Sequence, residues 1–156
     1  MRLGRPTEAH IIARRIGHLA VGLYASAVYL EEAEPVRPGL RGHTVIAGGS
    51  RPLGIPEESW FPALAAEAGV ALRSGSTPVQ LAAAVAGLGI AAVPCYLADA
   101  EPALRRVLPA ERLLRDIWLA TRRDLHRAAR IRAVAAWVAE SIKRSALLLR
   151  GDRAAG

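Results

Sequence analysis

The segment that most constrains how this chain can fold is SGSTPVQLAAAVAGLGIAAVPCYLA, residues 74–98, which contains no charged residue. Thr77 can cap the N-terminus of a helix through its hydroxyl, and Pro78 suits the first helical turn, where its missing N–H would have no partner anyway. About 20 apolar residues would suffice to cross a bilayer, but Gln80, Pro94 and the bias to alanine over leucine favour a globular interpretation. A helix is therefore predicted to begin at Thr77.

The same segment predicts where this helix ends and which element comes after it. Leu81, Val85 and Leu88 recur at spacings of four and three, which predicts an apolar stripe that packs on a sheet. The glycines at 87 and 89 end the helix, and the short apolar run 90–93 is typical of a strand buried on both faces. The predicted unit is a helix, a tight glycine turn and an inner strand.

Short apolar runs and helical patterns alternate along the rest of the chain. Ser26 can cap a short helix, and the residues GGSRPLGIP after the run 44–47 predict a glycine-rich loop. The alternation implies an α/β fold with a largely parallel sheet and helices on both faces. Strands are expected at 17–26, 44–47, 70–72, 90–93, 104–108 and 116–121, and the longer helices at 57–68 and 125–149.

The composition fits one globular domain with a basic surface. The chain has 156 residues, 52% of them apolar and 22% charged, with a formal charge of +7. Arginine carries nearly all of the positive charge, since Lys143 is the only lysine, and arginine prefers planar anionic partners. An anionic ligand, nucleic acid and simple solubility all remain open, although the arginines of the last helix are typical of a solvated face because no aromatic residues are interleaved.

The motifs of several enzyme classes are missing from the sequence. Ser50 lies in a glycine-rich turn but is followed by Arg51 and Pro52 and not by a nucleophile-elbow glycine, and there is no phosphate-binding loop. We therefore expect no catalytic residues, no cofactor and no enzymatic activity.

The metal ligands and cysteines are equally sparse. Cys95 is the only cysteine, so it cannot form an intramolecular disulfide, and either a buried apolar role or a reactive thiol is open for it. The polar first residues lack the apolar core of a secretory signal, so a cytoplasmic location without membrane contact is expected. No metal site is expected because the histidines are dispersed without paired spacing: His10, His18, His43 and His126.

Two polar segments are candidates for ligand binding. Ser74, Ser76 and Thr77 open the predicted helix, whose N–H groups and partial positive charge can hold a carboxylate, but the same residues can simply cap the helix. Gly48, Gly49 and Ser50 come after a predicted strand and can expose backbone donors, with a plain connecting loop as the alternative.

Several segments, taken in order, resemble the effector-binding domain of LysR-type bacterial transcriptional regulators. MRLGRP is similar to the strand end that opens the middle of that domain, and ARRIGHLAVGLYASAVYL to the strand that leads into its second lobe. AAAVAGLGIAAVPCYLAD resembles the helix, glycine turn and strand of the second lobe. DIWLATRRDLHRAARIRAVAAWVAE resembles the returning strand and the last helix.

The resemblance implies a two-lobe α/β domain like a type 2 periplasmic binding protein, with a small effector bound in the cleft between the lobes. Residues that match the family's cleft-facing positions fall at the strand end on the second lobe, at the start of the next helix, and at the first crossing between lobes. The implied ligand-binding residues are Ala47, Gly48, Gly49, Ser76, Thr77, Tyr24 and Ala25.

The chain departs from the family's full pattern. The family's winged helix-turn-helix domain and linker helix have no counterpart in it, nor does the first half of the first lobe. The resemblance thus implies a single fragment over 1–156, with a complete second lobe at about 25–116 and a partial first lobe from 1–24 and 117–150. A partial lobe should expose apolar surface, which predicts self-association or poor order near 1–17.

The resemblance is compatible with two functions of different kinds. The first is an effector-sensing domain that binds a small, anionic metabolite between its lobes and modulates transcription. The alternative is a truncated interaction protein that associates with full-length regulators, or with itself, without binding a ligand. In either case DNA would be contacted only through a winged-helix domain absent from this chain.

Overall fold

The computed structural model describes residues 1–49 and 56–152. Six strands form one sheet in the order β1-β6-β2-β5-β3-β4. The strands are β1 (Arg2–Leu3), β2 (Ile11–Ser26), β3 (Thr44–Ala47), β4 (Gly69–Arg73), β5 (Ile90–Pro94) and β6 (Leu104–Arg122), and the helices are α1 (Ala27–Glu32), α2 (Glu57–Leu64), α3 (Thr77–Val85), α4 (Cys95–Ala98), α5 (Ala129–Arg144) and α6 (Ala146–Leu149).

The chain divides into two compact units. Unit 1 consists of Met1–Ala20 and Leu114–Gly156, and unit 2 of Val21–Leu113. The long strands β2 and β6 contribute residues to both units. Unit 2 begins and ends a few residues before the second lobe expected at 25–116, and whether it is the complete second lobe stays a prediction.

Unit 2 contains the larger apolar core. The parallel strands β4, β3 and β5 lie side by side, and β2 pairs antiparallel with β5, with Leu23 opposite Ala92. The core cluster combines side chains from β2, β3, β5 and α2 with others from the connecting segments and β6, namely Leu23, Ala25, Leu40, Val45, Phe61, Ile90 and Val107.

Unit 1 contains the first part of β2, up to Ala20, and the last part of β6, from Leu114. β1 pairs antiparallel with β6, with Leu3 opposite Ile117, and Ile117 is buried. Gly17 lies under α5, because a Cβ there would meet the Ile142 side chain at 2.5 Å. No residue of α5 is fully buried. The spacing of its apolar residues predicts a covered stripe at 131, 134, 135, 138 and 142; four of these residues are partly covered, whereas Val134 is 60% exposed.

The expectation of a largely parallel sheet is wrong. The β4-β3-β5 part is parallel, whereas β2 pairs antiparallel with β5 and β1 with β6. Alternating helical signals and apolar runs suggest a parallel crossover at every step. A helix between two strands does not by itself fix their relative direction, and β2 with β5 and β1 with β6 pair as antiparallel strands that are distant in the chain. The predicted α/β class is confirmed, with helices and a mixed sheet.

Two long strands also differ from the expected short ones. The alternation of residues in β2 predicts a half-buried strand, yet every residue from Leu19 to Ser26 is buried, because β2 is an inner strand between β6 and β5. The two strands expected on either side of Pro109 form the single strand β6, and the chain passes the proline with Leu108 at a φ of +45°. A local bend at Leu108 thus replaces the expected break.

The helix of the uncharged segment has the predicted position but packs by a different face. α3 starts at Thr77 with Ser76, and not Thr77, as its N-cap residue. Ala83 and Ala84 are buried and Leu81 of the predicted stripe is half-buried, whereas Val85 and Leu88 are 36% and 41% exposed. Small alanines let the helix backbone approach the sheet closely, so the face with the larger side chains is turned outward.

Candidate ligand-binding site

The ends of the parallel strands β3 and β4 bring two of the predicted polar segments together in unit 2. Ala47 lies opposite Arg73 in the sheet, and the Ser74 N–H donates to the Ala47 carbonyl at 3.0 Å. A Cβ at Gly49 would lie 3.1 Å from the backbone nitrogen of Gly75. The chain after β3 therefore lies against the loop that leads into α3.

The N-terminus of α3 follows directly on from this loop. The Ser76 N–H donates to Ser74 Oγ at 3.1 Å, and Gln80 Nε2 donates to the Ser74 carbonyl at 2.7 Å. Ser76 makes no side-chain cap, and the first turn contains no acidic residue. Within 1–49 and 56–152, the hydroxyls of Ser76 and Thr77 form no hydrogen bond.

Helix geometry adds backbone donors to these hydroxyls. The first N–H groups of a helix have no helical partner, and Pro78 has none to offer, so the orphan donors here are the N–H groups of Thr77 and Val79. Arg73 is an exposed cation at the end of β4, four residues before Thr77 in the chain. The arrangement can accept a small anion such as a carboxylate.

Tyr24 and Ala25 lie elsewhere in unit 2. Tyr24 pairs with Ala91 of β5, and Ala91 pairs with Ile46 of β3, so Tyr24 is two strands away from β3. Tyr24 is 1% exposed and Ala25 is part of the apolar core. The structure thus groups Ala47, Gly48 and Gly49 with Ser76 and Thr77, and it gives the Tyr24 hydroxyl other partners.

Tyr24 and those partners form a partly buried polar network that the sequence does not indicate. The Tyr24 hydroxyl donates to Asp99 Oδ1 at 2.6 Å and accepts from Arg106 Nε at 2.9 Å. Arg106 Nη2 donates to both Asp99 oxygens, at 3.0 and 2.8 Å, and the guanidinium lies 5.5 Å from the centre of the Tyr24 ring. Burial and the hydrogen bond to Asp99 raise the pKa of Tyr24 far above its ordinary value.

Cys95 lies next to this network and is fully buried. Burial raises the pKa of the Cys95 thiol. A buried thiol with a raised pKa is unreactive as a nucleophile. Of the two roles open for Cys95, the structure supports apolar packing.

The remaining polar candidates do not assemble into another site. His43 is buried with Nδ1 at 3.2 Å from the Tyr29 hydroxyl, and His18 Nδ1 lies 3.0 Å from Asp116. No group of three potential metal ligands occurs within the part of the chain that the structure describes. Ser50 lies outside the described residues.

No helix within the described ranges is long and apolar enough to cross a membrane. No curated protein sequence matches the chain significantly.

Known structures share this fold at low sequence identity. The regulatory domain of CrgA, a LysR-type transcriptional regulator from Neisseria meningitidis, is 18% identical with a TM-score of 0.69, over 88% of this chain and 72% of that chain. A variant regulatory domain of AphB from Vibrio vulnificus is 22% identical with a TM-score of 0.66, over 89% and 74%. Full-length AphB from Vibrio cholerae, described as a virulence activator, is 21% identical with a TM-score of 0.63, over 88% of this chain but 49% of that one.

These structures show that the fold is that of LysR-type regulatory domains, and a family model confirms the resemblance seen in the sequence. The sequence itself matches the family model for the LysR substrate binding domain over residues 1–143. That match covers nearly the whole chain, and the chain belongs to the LysR substrate-binding domain family.

Proposed function

We propose that this chain is the effector-sensing part of a transcriptional regulator and that it binds a small anionic metabolite at the strand ends of unit 2. The observation that carries the proposal is the grouping of exposed donors around the start of α3, where Gly49 lies against Gly75 and the hydroxyls of Ser76 and Thr77 are unused in the described chain. Family membership supports ligand binding in general. The anionic class rests on the helix start and on Arg73.

The chemistry is that of an anion held by neutral donors and one cation. A carboxylate near α3 would accept hydrogen bonds from the Thr77 N–H and from the two hydroxyls, and the helix dipole favours its charge. Ala47 and Gly48 carry no long side chain that would obstruct its approach. Binding alters transcription only if the bound arrangement of the intact regulator differs from the free one.

The proposal is tested by thermal unfolding in benzoate, succinate and acetate at constant ionic strength, with benzamide as a neutral probe. A ligand at 100 times its Kd stabilises by about 2.7 kcal/mol, which raises the Tm of a protein of this size by roughly 5–10 °C. The double variant Ser76→Ala, Thr77→Val should lose most of the shift. Ser59→Ala, which removes a hydroxyl on α2, is the matched control.

Equal shifts in the double variant and in the unchanged chain would contradict the placement of the site. A shift with benzamide but with none of the three anions would contradict the anionic class.

A second candidate function is association with full-length regulators or with another copy of this chain. The observation that favours it is in unit 1, where α5 has no fully buried residue and the side chains of Val134 and Trp137 are 60% and 66% exposed. Apolar side chains of this size on one helix are typical of a covered surface.

Sedimentation velocity at increasing protein concentration tests this candidate. Association that weakens in Trp137→Gln would support it. A monomer at every concentration that also fails to bind a full-length family member in a mixed pull-down would remove it.

A further inference from the structure

The net positive charge of the chain comes entirely from one of its two units. Unit 1 holds 14 of the 21 lysine and arginine residues and 5 of the 14 acidic residues, which gives it a net charge of +9. Unit 2 holds the remaining 7 basic and 9 acidic residues and has a net charge of −2. A charge needed only for solubility has no reason to be concentrated in the smaller unit.

Within unit 1 the charge peaks where β6 ends and α5 begins. The segment RRDLHRAARIR, residues 122–132, contains five arginines and one acid, Asp124. Arg122 binds Asp124 through two hydrogen bonds, at 3.1 and 2.7 Å, so this acid is already paired. The Arg123 N–H donates to the His10 carbonyl at 2.9 Å, which anchors the segment to the start of β2.

The other three arginines of the segment, Arg127, Arg130 and Arg132, are exposed. In the described chain their side chains form no ion pair or hydrogen bond. Arg130 and Arg132 occupy the first turns of α5, which contain no acidic residue and no side-chain cap. Cations at this end of a helix oppose its dipole, so these arginines do not serve the stability of the fold.

We propose that the arginine patch formed by Arg127, Arg130 and Arg132 binds the phosphate backbone of double-stranded DNA independently of base sequence. Guanidinium groups bind phosphate oxygens through two hydrogen bonds at once, and each phosphate that they neutralise releases counterions. This contact is separate from the effector site of unit 2. It also departs from the expectation that DNA is touched only by a winged-helix domain.

The residues between the arginines favour DNA over a membrane surface. A helix that lies on a bilayer needs large apolar side chains interleaved with its basic ones. Here the intervening residues are Ala128, Ala129 and the half-buried Ile131. Between positions 127 and 132 no large apolar side chain is fully exposed, and the exposed Val134 and Trp137 lie farther along α5.

In an intact regulator of this family such a contact would act on DNA that the DNA-binding domain already holds. A tethered second contact is strengthened by its high effective concentration, so weak, sequence-independent binding is sufficient. DNA that is already bound close to the regulatory domain would then be contacted along its backbone, and the sequence preference of the regulator would not change.

The experiment measures binding of the 156-residue chain to a fluorescein-labelled 30-bp duplex of arbitrary sequence by anisotropy, at 50–200 mM NaCl. Three phosphate contacts predict a slope of about −2.7 in log K against log salt, which is roughly a 40-fold loss of affinity over this range. Arg127→Gln, Arg130→Gln, Arg132→Gln should remove most of this slope, and the three arginine-to-lysine changes should keep most of it. The matched control is Arg37→Gln, Arg41→Gln, Arg105→Gln, which removes three exposed arginines from unit 2 and should keep the slope.

An equal loss in the control would overturn the proposal, because net charge and not the patch would then carry the binding. No binding to the duplex at 50 mM NaCl would overturn it as well. Binding to phosphatidylglycerol vesicles without binding to the duplex would assign the patch to a membrane instead. Circular dichroism of the glutamine variant should show an unchanged fold, since the substitutions remove cations from the unfavourable end of α5.

Discussion

Removing the hydroxyl of Tyr24 should destabilise unit 2 substantially. Tyr24→Phe deletes the hydrogen bond to Asp99 at 2.6 Å and the one from Arg106 at 2.9 Å, both between the buried hydroxyl of Tyr24 and charged, partly buried side chains. Single hydrogen bonds to charged groups contribute about 1.5–3 kcal/mol. Because Arg106 still binds both Asp99 oxygens in the variant, we expect a total loss of about 2–3 kcal/mol, below the sum of the two bonds.

Urea unfolding followed by far-UV circular dichroism measures this loss. With a slope of about 2 kcal/mol per molar urea, the midpoint should fall by roughly 1–1.5 M. Tyr96→Phe is the matched control: it is the same chemical change on the neighbouring helix α4, and Tyr96 has no hydrogen bond through its side chain in the described ranges. The control should change stability by less than about 0.5 kcal/mol.

Equal midpoints for Tyr24→Phe and Tyr96→Phe would refute the reasoning, because the network would then contribute nothing beyond packing. The double variant Tyr24→Phe, Asp99→Ala provides a further check. Its loss should be smaller than the sum of the two single losses, since both substitutions remove the same hydrogen bond.

Three further predictions concern unit 2. Because its pKa is raised on folding, Tyr24 keeps its proton in the folded chain while the unfolded chain loses it above about pH 10. The free energy of unfolding should therefore fall by about 1 kcal/mol between about pH 10 and pH 11 relative to Tyr24→Phe, and equal pH profiles would contradict this. Gly89→Ala places a Cβ 2.7 Å from the carbonyl carbon of Thr44 at a φ of +149° and should cost more than about 2 kcal/mol in urea unfolding, whereas Gly75→Ala, with open space around it, should not. Cys95 is buried with a raised pKa, so it should react with Ellman's reagent only in denaturant, and rapid labelling of the folded chain would show that the thiol is accessible.

The sequence predicts the local elements of this chain better than their packing. Thr44–Ala47 and the start of α2 at Glu57 are where the alternating pattern and the paired acids place them. Ser26 caps α1 as expected, because its Oγ accepts the Tyr29 N–H at 3.2 Å. Such signals are local, so a single segment contains all the information that they need.

The features that the sequence does not reveal depend on contacts between distant segments. The bonds of Tyr24 to Asp99 and Arg106 cross 75 and 82 positions, and no spacing rule joins them. The packing of α3 also depends on distant segments. Ala83 and Ala84 are buried because they fit the surface of the sheet, which the apolar periodicity of the helix does not reveal. The candidate site is intermediate: its segments are recognisable in the sequence, but their meeting at the ends of β3 and β4 requires the parallel register.

The measurement that tests the central claim most directly is a two-dimensional ¹H–¹⁵N NMR titration of the full chain. The titrant is whichever of benzoate, succinate and acetate raises the Tm most, added at constant ionic strength. If the chain senses an anion at the strand ends of unit 2, the amide signals of Gly48, Gly49, Ser76 and Thr77 should shift together and saturate with one Kd. Saturating shifts confined to other residues, or no saturating shift with any of the three anions, would contradict the account.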